Sequence, residues 1–262
     1  MTASRPETKG LDAMAVVIDR WQAKSIRWTF FLSEPVPADK RPSAKSYGVA
    51  FESQQTSATG EVVEIASYGV GKIALSTNAN RVDLNWNAEP HPENDVSLGA
   101  SREALDAALT PVISWLRDAN LAITRVALGG DFRHAVGSVD EGYQRLAELL
   151  PTFPVDRNNM EDFALQVNRV GSVSFRGDKL RINRICRWAV NVQQATMFEF
   201  GPGGPVFRTL PEEYAVSCGV DFNTDARGVN PPMASDEVTR AAEALVANVL
   251  AFLEQGDHVE HH

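Results

Sequence analysis

The sequence predicts an α+β fold of antiparallel, β-rich lobes, each covered by amphipathic helices. Three observations predict it. Apolar residues alternate with polar ones over most of the chain, helical stripes are confined to a few segments, and strands follow strands instead of alternating with helices. The last argues against a doubly wound parallel sheet.

The elements follow in order. Ile26, Trp28, Phe30 and Leu32 alternate with Arg27, Thr29 and Ser33, so one apolar row meets a core. Tyr47, Val49 and Phe51 repeat the pattern, and Ile73 with Leu75 does so again. Asn78, Ala79 and Asn80 separate that run from Val82, Leu84 and Trp86, which predicts a hairpin. A helix then starts at Ser101 as N-cap, with Glu103 in its first turn and a stripe of Leu105, Leu109, Val112, Ile113 and Leu116. Pro111 inside that stripe removes a hydrogen bond and predicts a bend at Thr110. Leu121 to Leu128 reads as a strand. Ser138 and Glu141 form a capping box for a helix that Pro151 ends.

The second half is strand-rich again: Leu165 with Val167, then Leu180 to Val192, then Tyr214, Val216, Cys218, Val220 and Phe222. A turn over Gly201, Pro202, Gly203, Gly204 and Pro205 interrupts it. Ser235 caps a last helix with Asp236 and Glu237 in its first turn and a stripe from Val238 to Leu253. These elements divide the chain into a tail at 1–10, a first β-rich lobe at 11–150 and a second at 151–262. Element order repeats between the halves, so a tandem duplication is one reading; a single sheet with all helices on one face is the other.

At 262 residues and 44% hydrophobic composition the chain can bury a large core. Met1 to Gly10 lacks the apolar block of a signal peptide, and no run reaches the ~18 to 20 apolar residues of a membrane span, so a cytoplasmic protein without membrane contact is expected. The only cysteines, Cys186 and Cys218, lie in alternating segments and read as buried thiols in a reducing compartment, in preference to a disulfide. The net charge of −9 disfavours nucleic acid as a partner.

One stretch runs against that charge. Arg169, Arg176, Lys179, Arg181, Arg184 and Arg187 share a segment whose only acid is Asp178. Strand parity puts Arg181, Asn183 and Arg187 on one face and Arg184 on the other, with Leu180, Ile182, Cys186 and Trp188. A guanidinium among apolar side chains calls for a buried ion pair at Arg184. Arg181, Asn183 and Arg187 become candidates for anion or partner binding, with Trp188 as a stacking platform.

The run Phe163, Ala164, Leu165, Gln166, Val167, Asn168, Arg169, followed by Leu180 to Trp188 with its second Asn-Arg at Asn183 and Arg184, resembles a pattern in an uncharacterised family of bacterial two-lobed proteins. The resemblance implies a bacterial cytosolic protein found among toxin–antitoxin or phage-defence genes, and it transfers no catalytic residue.

Other motifs point nowhere definite. His91, Glu93 and Asp95 lie in a Pro-rich loop, and Asp131 with His134 follows a strand end; neither set has a metal-ligand spacing with a third partner. The terminal His258, Glu260, His261 and His262 sit where chains fray. Gly129, Gly130 and Asp131 lack the Lys-Ser/Thr of a phosphate loop. No metal or cofactor is therefore assigned. Two functions stay open: a non-enzymatic protein-binding or adaptor protein acting as a homodimer, or a hydrolase or nuclease using His91, Asp131 or His134 around the basic strand.

Overall fold

Alternation of apolar and polar residues becomes one antiparallel sheet of nine strands in the computed structural model, which describes residues 21–89, 96–156, 159–175, 178–194, 196–201, 204–224 and 231–257. The first half supplies β1 (Trp21–Leu32), β2 (Ser53–Thr56), β3 (Val62–Tyr68), β4 (Gly71–Asn78), β5 (Arg81–Ala88) and β6 (Ile123–Val136). The second supplies β7 (Ala164–Phe175), β8 (Asp178–Gln193), β9 (Thr196–Gly201), β10 (Gly204–Thr209) and β11 (Glu213–Thr224). Spatial order is β2-β3-β4-β5-β1-β6-β11-β8-β7, with β9 and β10 forming a separate hairpin. The first half thus fills one flank of the sheet and the second half the other. They meet where β6 pairs with β11.

Among the described residues the helices α1 (Ser101–Ala119), α2 (Val139–Leu149) and α3 (Ser235–Gln255) cover one face. Cross-strand partners share a face, so the rows Trp86–Ile26–Gly130–Val220–Cys186 and Leu84–Trp28–Leu128–Phe222–Arg184 point to the helices. Trp21, Trp28, Phe30, Phe132, Trp188 and Phe222 are all fully buried there. Burial at about 25 cal/mol per Å² makes these aromatics the largest single contributors to the core. Cys186 and Cys218 are free and buried, as expected. No helix among the described residues is long and apolar enough to cross a membrane.

The β4–β5 hairpin forms as predicted, Asn78 facing Arg81 across Ala79 and Asn80. Other elements depart from expectation. Tyr47 ends a 3₁₀ turn, Ala44–Tyr47, and packs edge-on against Tyr68 at 5.2 Å, while Val49 and the half-exposed Phe51 are coil, so the expected strand does not form. β6 continues eight residues past Leu128, through Gly129 and Gly130. Helix α1 is capped by Ala100, because the Ser101 hydroxyl donates to the Trp21 carbonyl at 2.7 Å instead. Likewise Ala234 caps α3, its amide donating to the Glu237 carboxylate at 2.7 Å. Ser138 caps α2 as predicted, accepting from the Glu141 amide, but the Glu141 carboxylate accepts from the Gly137 amide, so the reciprocal half of the expected box does not form.

Helix α1 runs unbroken through Pro111. The proline leaves the Ala107 carbonyl without its helical donor, and the Tyr68 hydroxyl donates to that carbonyl at 3.3 Å. A β3 side chain thus replaces the missing helical bond.

Candidate functional site

On the other face the strands β5, β1, β6, β11, β8 and β7 present mainly polar side chains, and none of the described helices packs there. A cavity of about 380 Å³ opens at its centre, over the β6–β11 junction. Its construction follows from register. One row crosses the sheet as Asn85, Arg27, Gly129, Asp221 and Ile185. The adjacent row, read from the opposite edge, is Gln166, Arg187, Gly219, Asp131 and Ser25. Amide, arginine, glycine and aspartate recur in the same order. Each glycine faces the aspartate of the other junction strand, because Gly129-Gly130-Asp131 and Gly219-Val220-Asp221 pair antiparallel about Gly130 and Val220.

Gly130 and Gly219 line the cavity, and Gly129 lies beneath Arg27 beside it. A Cβ on Gly129 would lie 3.0 Å from the Arg27 Nη2, and one on Gly219 would lie 3.1 Å from the Asp131 Oδ1. Charged side chains therefore lie close on the sheet where a Cβ would make them shift by a few tenths of an ångström.

The two rows use the same parts differently. In the first, the Arg27 guanidinium crosses Gly129 and donates to the Asp221 carboxylate at 3.0 Å. In the second, the Arg187 Nε turns outward to the Gln166 carbonyl at 2.7 Å, and Asp131 accepts from the Ser25 hydroxyl at 2.9 Å. Arg187 and Asp131 are both exposed. The first row is closed by its own ion pair; the second is open.

Around this centre the face is cross-linked. Asp83 accepts from Thr29 at 2.6 Å and from Arg81 at 2.8 Å, and the Arg125 guanidinium sits 4.8 Å above the Phe31 ring. Arg125 also donates to Asn223 at 2.8 Å, and the Asn183 amide donates to the same oxygen at 3.3 Å.

Of the residues singled out in the sequence, Arg181, Asn183 and Arg187 do share this face, and Arg187 lines the cavity. Trp188 does not. It is 1% exposed on the helix side, packed against Trp21 and Phe252, so it offers no stacking surface. Arg184 lies on the helix side as its parity predicts, but the ion pair expected of it belongs to its register partner Arg169, which holds Asp257; the Arg184 Nε has no hydrogen-bond partner among the described residues.

Asp131 and His134 are separated by the sheet: Asp131 is in the cavity, and His134 is 4% exposed against Trp21 on the helix side. Three residues along a strand reverses the face. His91, Glu93 and Asp95, and the terminal His258, Glu260, His261 and His262, lie outside the described residues. Both thiols are pushed well above the ordinary range, chiefly by burial. That removes them as nucleophiles in the folded state.

Ser25, Arg27, Asp221, Asn85 and the two floor glycines escaped the sequence reading. The signal was there: Gly-x-Asp occurs in each half, on strands of matching parity. No family model and no curated protein matches the chain.

Proposed function

We propose that the chain is a non-enzymatic binding protein, an adaptor that receives a polar, charge-balanced segment of a partner protein on its open sheet face. The pair of antiparallel Arg–Gly–Asp rows carries this reading. Two arginines and two aspartates cancel, and Arg27 is already engaged by Asp221. A polyanion binds by displacing counterions with free cations, and this centre has few to offer against a chain of −9. A partner segment that brings both donors and acceptors meets both kinds of group. The alternative hydrolase or nuclease reading draws on His91, Asp131 or His134 around the basic strand; Asp131 and His134 face apart, and His91 lies outside the described residues.

The cytoplasm is the compartment that two free, buried thiols favour. A homodimer fits the same reading. β7 is a twelve-residue edge strand, and pairing with a second copy would satisfy its open hydrogen-bonding edge.

The test is retention of host proteins on immobilised wild type and on the double variant Asp131→Asn, Arg187→Gln, compared with a control variant Glu243→Gln on the helix layer. The reading expects a partner that the control keeps and the double variant loses at least tenfold. A partner kept equally by all three contradicts it.

A further inference from the structure

Resting on that reading, we infer that the open row is a subsite for a guanidinium paired with a carboxylate: the guanidinium lies on Gly219 against Asp131, and the carboxylate meets Arg187. The molecule carries its own example of half of this contact. In the closed row a guanidinium, that of Arg27, lies over Gly129 and donates to the carboxylate of the facing strand at 3.0 Å. The open row repeats the floor and the acceptor. Gly219 has no side chain, and Asp131 holds one oxygen over it.

The donor that would complete the copy is Arg187, and it is bonded to Gln166 instead. Its outward turn leaves only the Asp131 Oδ1 over Gly219, with that exposed carboxylate on one side and an exposed guanidinium on the other. Cα positions two strands apart are about 10 Å from each other, so Asp131 and Arg187 leave room for one planar group between them. A lone cation would satisfy Asp131 and be repelled by Arg187; a lone anion would do the reverse. A ligand bearing both charges satisfies both.

Ser25 adds the orientation. Its hydroxyl donates to the Asp131 Oδ2, while Oδ1 is the oxygen over Gly219. One carboxylate oxygen is thus held and the other is presented to the ligand, as the Asp221 oxygen is presented to the flat Arg27 guanidinium in the closed row. Charge at long range acts in the same direction. A chain of −9 draws a basic partner, and an arginine is the side chain that such a partner brings.

Two sources could supply the pair: free L-arginine, or a partner segment with an arginine beside an acid. Calorimetric titration with L-arginine, agmatine and the blocked peptide acetyl-Ala-Arg-Ala-Asp-Ala-amide separates them. Agmatine keeps the guanidinium and lacks the carboxylate. The inference expects a dissociation constant of about 1 mM or tighter for L-arginine or the peptide, the tighter of the two naming the source, with agmatine at least tenfold weaker. Asp131→Asn and Arg187→Gln should each weaken binding at least tenfold, while Glu243→Gln changes nothing.

Both substitutions are on exposed positions, and Arg187→Lys tests the fork without removing the charge; it should recover only part of the affinity. If agmatine binds as well as L-arginine, or if neither L-arginine nor the peptide binds, the inference is wrong. Partner retention that still depends on Asp131 and Arg187 would then leave the broader reading standing.

Discussion

The Arg169 guanidinium grips the Asp257 carboxylate through Nε, at 2.7 and 2.8 Å, and through Nη2 at 2.7 Å. Asp257 is 5% exposed, just beyond the end of α3, so this contact fastens the last helix to the edge strand β7. Removing one partner of a buried pair strands the other. Arg169→Ala should cost about 3 kcal/mol, near the lower end for buried pairs because Arg169 is itself partly exposed. Asp257→Ala should cost less, since the freed guanidinium reaches water, and Arg184→Ala should also cost less than Arg169→Ala. Urea unfolding of the three variants checks the order. A larger loss at Arg184 would show that the buried charge is compensated there instead.

The two thiols give a second expectation. Each is held protonated by burial, and the unfolded chain ionises its cysteines above about pH 8.5. Their contribution to stability is therefore complete below that pH and falls as pH rises above it. Alkylation should be slow at pH 8 and fast in denaturant. Labelling of Cys186 or Cys218 within minutes on the native protein, followed by intact mass, would contradict the buried placement.

Gly256 and Gly60 both have φ near the left-handed region, at 73° and 81°, yet their surroundings differ. A Cβ on Gly256 would fall 2.2 Å from the Leu149 carbonyl oxygen, while one on Gly60 meets nothing within 4 Å. Gly60→Ala should thus cost only the backbone strain, about 1 kcal/mol, and Gly256→Ala clearly more. Equal melting shifts would mean that the Gly256–Asp257 turn does not dock on Leu149 of α2.

Much of the fold was legible because alternation is a local signal. β1, β4, β5, β8 and β11, the hairpin at Ala79–Asn80 and the capping of α2 by Ser138 each depend on a few neighbouring residues. The errors lie where a distant residue intervenes. Ser101 loses its cap role to the Trp21 carbonyl, and Arg184 yields its ion pair to Arg169 through a residue 88 positions away from Arg169. The site was the least legible part. Arg187 could be placed on a face by parity, but its row needs Gly219, Asp131 and Ser25 from three other strands, and only register brings them together.

Arg27 and Asp221 should matter little for stability. Their side chains are 42% and 36% exposed, and pairs of that kind contribute about 0–1 kcal/mol. Arg27→Ala is expected to melt within a few degrees of wild type. A collapse of the fold in this variant would make the closed row a structural support and weaken its use as the pattern for the open row.

The central claim is that the open face, and not the helix layer, receives the partner. Site-specific photocrosslinking tests it most directly, with benzoylphenylalanine placed at Ala189, which pairs with Ser217 beside the cavity, or at Glu243 on α3. The account predicts that a host protein is captured from Ala189 and not from Glu243, and that added Asp131→Asn and Arg187→Gln substitutions abolish the capture. Capture from Glu243 alone, or capture from Ala189 that survives those two substitutions, would contradict it.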